Sequence, residues 1–120
     1  MNKDLRDSLI EMIAVFGLVF FGLGSVAVGS FYSKNEIDPG FNILNTFIIA
    51  FAHGIYIFVA IASTSRISGA HINPAITVSM WIHKKINLNK MFFYLAAQFF
   101  GGILGAIFWS LIFDASLGIH

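Results

Sequence analysis

No cysteine occurs in the sequence, which excludes a disulfide framework, a thiolate metal site and a thiol nucleophile. Charge is almost as scarce: Asp, Glu, Lys and Arg make up 11% of the residues against about 25% in soluble domains, while 58% are hydrophobic. That balance excludes an ordinary soluble domain and marks a membrane protein. A net charge of +1 supplies no continuous basic field, so no nucleic-acid partner is expected. The apolar stretches hold no paired carboxylates, no Ser/His/Asp set and no metal-ligand spacing, so neither an enzyme nor a metal or cofactor site is expected.

What the sequence does have is three runs free of acidic and basic residues, Met12 to Ser33, Pro39 to Ser65 and Met91 to Phe113. Each exceeds the roughly 20 residues that an α-helix needs to cross about 30 Å of hydrocarbon. They predict an all-α membrane protein in contact with lipid, with transmembrane helices over about 9–32, 41–64 and 91–113. The first run has some marks of a cleavable signal peptide, since Lys3 and Arg6 precede it and Ala27, Gly29 and Ser30 are small. It is longer than the roughly 7 to 15 residues of a signal's apolar region, and Asp4 and Asp7 offset the basic charge, so a retained span is the better reading.

Basic residues near helix ends set orientation. Lys3, Arg6, Arg66, Lys84, Lys85 and Lys90 fall on one side of such a bundle and Lys34 alone on the other. This bias predicts a multi-pass protein of the cell (inner) membrane with a cytoplasmic N-terminus and with Asp114 to His120 outside.

Between the second and third runs stands Ser68-Gly69-Ala70-His71-Ile72-Asn73-Pro74-Ala75, followed by further apolar residues up to Ile82. Asparagine is a favoured helix N-cap and proline a favoured first helical residue, so a helix is expected over Pro74 to Ile82. Nine residues at about 1.5 Å each give roughly 14 Å, half the hydrocarbon thickness. Such a helix reaches the midplane and stops. The preceding Ser65 to Ile72, at roughly 3.3 Å per extended residue, is long enough to run from the cytoplasmic surface to its start.

Non-helical backbone at that depth is tolerable only when buried in protein or lining a wet cavity. A half-helix with its positive end at the midplane repels cations and attracts oxygen lone pairs, and Asn73 adds two N–H donors there. Water held by its oxygen at that point would be turned so that a proton wire is broken while water still moves. On spacing alone, an interfacial amphipathic segment begun by Asn-Pro fits equally well.

The stretch Ile67-Ser68-Gly69-Ala70-His71-Ile72-Asn73-Pro74-Ala75-Ile76-Thr77 resembles the first NPA loop of the aquaporin (major intrinsic protein) family, whose channels carry water and in some members glycerol. The likeness extends along the chain. Glu11, Phe20, Gly22, Gly24 and Ser25 resemble the family's first helix, Ala50 to Gly54 its second, and Tyr94, Ala97-Gln98 and Gly101-Gly102 its third. The resemblance implies a pore-centre donor at Asn73, a half-helix seated by Pro74 and Ala75, and backbone carbonyls of Gly69, Ala70 and His71 offered to water. It also implies a loop brace at Glu11, near His71, and a selectivity-filter residue at His53. A solvated Glu11 near the interface and a His53 merely bonded to neighbouring backbone are the simpler alternatives. Microbial water channels of the family carry phenylalanine at the position of His53, glycerol facilitators tryptophan and some plant vacuolar channels histidine, which leans against a glycerol facilitator.

Small residues four apart, Gly101 with Gly105, Gly102 with Ala106 and Ser25 with Gly29, are expected to let helices approach closely in lipid. The phenylalanines are expected to face lipid or neighbouring helices. Ser65-Arg66 replaces the family's frequent glycine-histidine pair, and Arg66 is expected to pair with Asp4, Asp7 or Glu11 or to snorkel to the headgroups.

The family fold is an inverted repeat of three helices and a half-helix, and residues 1–120 supply one such repeat, a single half-domain with its re-entrant loop and half-helix at about 65–83. A second NPA and the filter arginine after it are lacking in this sequence. The expected function is therefore the N-terminal half of a passive water channel that needs a second half to close its pore, with a second half-channel chain or an oligomeric assembly as the expected partner. The alternatives are a non-conducting interaction subunit or truncated remnant, and a facilitator for glycerol or a similar neutral solute. A second copy of the chain is a poor completing half, because it would have to insert upside down against the basic bias.

Overall fold

The computed structural model describes residues 1–33 and 43–114, all of whose regular structure is helical. Helix α1 is Lys3–Ser33, α2 Ile43–Thr64, α3 Pro74–Ile82 and α4 Leu88–Trp109, which continues as one π-helical turn, Ser110–Asp114. Among the described residues three helices are long and apolar enough to cross a membrane, Lys3–Phe31, Ile43–Thr64 and Leu88–Phe113. The fourth, α3, has nine residues and cannot. The result is an all-α membrane fold of three spans and one half-helix.

Helix α1 starts at Lys3 rather than near residue 9, because its first turns continue the helix beyond the apolar stretch and are held by charge. Asp7 is fully buried there and bonds to Arg6 at 2.7 Å and to Lys90 at 3.4 Å. Likewise α4 starts at Leu88 rather than Met91, since the Asn87 side chain caps it by accepting from Lys90 N at 2.8 Å. The start of the second span at 41, the lone outward Lys34 and the outer residues 115–120 lie outside the described residues.

Helix α1 is the centre of the bundle, with α4 packed on one side, α2 on another, and α3 against α4. Gly101 and Gly105 bring α4 onto the backbone of α1. A Cβ at Gly101 would collide with the Met12 carbonyl oxygen, and one at Gly105 would lie 2.6 Å from that of Phe16. The four-residue step on α4 thus meets a four-residue step on α1, the close approach that small residues permit in lipid. Gly102 is looser, since a Cβ there would stand 3.8 Å from Val15 and Val19, and one at Gly29 would stand 3.6 Å from Asn45 and Ile49. On the α2 side, Tyr56 fills the space left by Gly17 and donates to the Ala14 carbonyl at 2.9 Å. Ala14, Val15, Ala60 and Ile72 form the apolar centre. Of α2 only Ala60 is buried, so most of that helix faces outward.

Candidate functional site

The turn between α2 and α3 is not the extended run expected of Ser65 to Ile72. Residues 65–68 curl, with Ser65 N bonding to Ile61 O and both Ile67 N and Ser68 N to Thr64 O. Beyond them Gly69, Ala70 and Ile72 take left-handed φ angles of 88°, 52° and 54°. A β-branched residue at positive φ is costly, of order 1–3 kcal/mol, and persists only where its surroundings over-determine it.

The determinant is Glu11 on α1, which is fully buried. Its Oε1 accepts from Ser68 Oγ at 2.6 Å and from His71 N at 3.0 Å, and its Oε2 from Ile72 N at 2.6 Å and from Gln98 Nε2 at 3.0 Å. Four donors converge on one carboxylate, and two of them are backbone N–H groups of the strained turn. No cation pairs with Glu11 among the described residues. Arg66, exposed, joins no ion pair with Asp4, Asp7 or Glu11; Asp7 is instead engaged by Arg6 and Lys90, which sit closer along α1 and across α4.

Around this carboxylate lies a polar core that sequence reading did not assign. Tyr94 Oη donates to Ser68 O at 2.5 Å, Gln98 Nε2 also donates to Thr77 Oγ1 at 2.9 Å, and His71 Nδ1 lies 3.0 Å from the same hydroxyl. Tyr94 and Gln98 are one helical turn apart on α4, so one face of that helix holds both the loop and the half-helix. The available signal was Gln98, an amide in an uncharged membrane run, where a polar group is expensive and therefore needs a partner.

Helix α3 begins as its residue types dictate. The Asn73 side-chain oxygen accepts from Ala75 N at 2.8 Å, and Pro74 occupies the first helical position. That bond leaves the two side-chain N–H groups of Asn73 without a partner among the described residues, and Asn73 is exposed. The carbonyls of Gly69, Ala70 and His71 also accept no hydrogen bond from the described residues.

Two recesses meet at Leu18 along this side of the molecule. One is lined by Leu18, Ile57, Ile61, Ala70 to Asn73 and Ile76, the other by Leu18, Gly22, Val26, His53 and their neighbours. Leu18, Gly22 and Val26 are successive turns of α1, and His53, Ile57 and Ile61 successive turns of α2. Together they form an open groove with apolar walls, which the NPA turn joins at its tip. His53 is half-buried, its Nδ1 2.8 Å from Ile49 O.

The Major intrinsic protein family matches residues 1–118. The chain belongs to that family. Among aquaporins it is 38% identical over 106 residues to aquaporin TIP2-3 of Arabidopsis thaliana, covering 88% of this chain and 41% of that protein. It is 38% identical over 123 residues to aquaporin AqpM of Methanothermobacter marburgensis, covering 95% of this chain and 48% of that protein. Aquaporin NIP3-1 of Arabidopsis thaliana is 33% identical over 103 residues, 86% of this chain and 29% of that protein. The chain thus spans less than half the length of these relatives.

Proposed function

We propose that the chain forms the N-terminal half of an aquaporin-type water channel, inserted with its N-terminus in the cytoplasm, whose pore is closed by a second repeat. The observation that carries this reading is the polar lining of an otherwise apolar groove. The carbonyls of Gly69, Ala70 and His71, which accept from none of the described residues, lead to the similarly unpartnered N–H groups of Asn73 at the start of a half-helix. In lipid each such group would cost several kcal/mol, so the groove has to face water and a covering protein segment. Carbonyls accept from water hydrogens along the file, and Asn73 with the N-terminus of α3 donates to water oxygen at its end. Pro74 and Ala75 seat that end, Glu11 holds the turn in place, and His53 stands at the outer level of the groove as a filter residue. No bond is made or broken in this function.

The covering segment is a second repeat of opposite orientation, in the same polypeptide or another. A copy inserted in the same sense would bring its half-helix to the midplane from the same side and leave the groove open.

Osmotic shrinkage of proteoliposomes tests the reading. The chain joined to a repeat carrying a second NPA and its following arginine is expected to raise water permeability, and the chain alone is not. Asn73→Asp keeps the cap but replaces two donors with a carboxylate oxygen, and is expected to lower that permeability about tenfold. No permeability in the joined protein would favour a non-conducting interaction subunit. Glycerol uptake measured in the same vesicles separates a water channel from a solute facilitator.

A further inference from the structure

Above Asn73 the groove holds, among the described residues, one polar side chain, His53, beside Leu18, Val19, Leu23 and Val26. Its Nδ1 lies 2.8 Å from Ile49 O, and a carbonyl only accepts, so Nδ1 carries a proton and Nε2 of the neutral ring is an acceptor. Nε2 meets no donor among the described residues, yet it is not sealed off as Trp109 Nε1 is. It opens to the groove.

The ring reaches this pose because α1 has a notch. A Cβ at Gly22 would stand 2.5 Å from His53 Nε2 and 3.2 Å from both Cδ2 and Cε1, so the ring edge occupies the place where any other residue would put its side chain. The adjacent Gly54 gives a contrast, for a Cβ there meets nothing within 4 Å.

We propose that Gly22 is the positioning residue that sets the solute cutoff of the channel at this level, by letting the His53 imidazole lie back against α1. The proposal rests on the channel reading above. With a methyl at position 22, Nε2 has to retreat by about 1 Å to reach ordinary contact. The bond from Nδ1 to Ile49 O holds the other edge of the ring, so the Nε2 edge swings into the groove. A path that admits solutes one at a time narrows, and the side-chain acceptor at this level moves off the wall.

The test combines flux and spectroscopy on the joined protein. Permeability is measured for water, formamide, urea and glycerol in native, Gly22→Ala, His53→Ala and double-substituted forms. In Gly22→Ala the flux of the largest solute that the native channel passes is expected to fall about tenfold. In the His53→Ala background the same change is expected to do nothing. An equal loss in both backgrounds, or none in either, overturns the proposal. Nitrogen NMR of histidine-labelled protein at pH 8, with His53 assigned from the His53→Ala spectrum, is expected to give a protonated Nδ1 and an unprotonated Nε2, both shifted by Gly22→Ala. Unchanged resonances overturn the seat, whatever the flux. If Gly22→Ala does not fold, recovery of folding in the double substitution supports the steric pairing, and failure there overturns it. A native protein that passes no solute overturns the channel reading and the cutoff with it, while the nitrogen spectra still report separately on the seat.

Discussion

At Glu11 each carboxylate oxygen accepts two hydrogen bonds, and two of the four donors are backbone N–H groups fixed by the turn. Glu11→Gln replaces one oxygen with an N–H2 that has to face donors, leaving buried groups unpaired. The expected loss is about 2 kcal/mol, read as a lower thermal midpoint in detergent, together with reduced water permeability of the joined protein. An unchanged midpoint would mean that the turn is held without the carboxylate. In sequence, Glu11 drew attention only through the likeness to the family's first helix. Its partners were not legible there. Ser68, Thr77, Tyr94 and Gln98 are polar residues with many possible uses, and only proximity across three segments makes them one network. Arg66 is the converse case: its charge drew attention in the sequence, but the folded chain gives Asp7 nearer cations.

Among the elements, α3 was the most legible, since Asn73 as cap and Pro74 as first residue fix its start through local chemistry alone. The turn before it was less so. An extended run was expected, but the N–H groups of His71 and Ile72 are drawn to Glu11, about sixty residues away, and the backbone takes left-handed angles to deliver them. Between spans, the glycine pair on α4 makes a sharp prediction. Gly105→Ala puts a methyl 2.6 Å from the Phe16 carbonyl oxygen, a backbone atom that cannot rotate aside, so α1 and α4 have to part. Overpacking of this kind costs about 1–3 kcal/mol and should lower the thermal midpoint. Gly54→Ala, where the new Cβ meets nothing, should leave that midpoint unchanged or raise it slightly. Equal effects of the two substitutions would contradict the packing described for α1 and α4.

For the molecule as a whole, orientation is the open prediction, and the absence of native cysteine makes it easy to read. A Lys85→Cys reporter is expected to react with a membrane-impermeant thiol reagent only from the cytoplasmic side, and a His120→Cys reporter only from outside. Labelling of either from both sides would mean mixed insertion, and with it a route to pairing two copies in opposite senses. The sequence by itself determined the class of this protein, its number of spans, its half-helix and its family, because apolar run length, a capping pair and a motif are local properties of the chain. Only the tertiary structure decided what holds the loop, which polar atoms of the turn have no partner among the described residues, and that His53 lies in a notch at Gly22. Those facts depend on side chains distant in sequence sharing one buried volume, and no local pattern fixes which of the available polar partners will meet there.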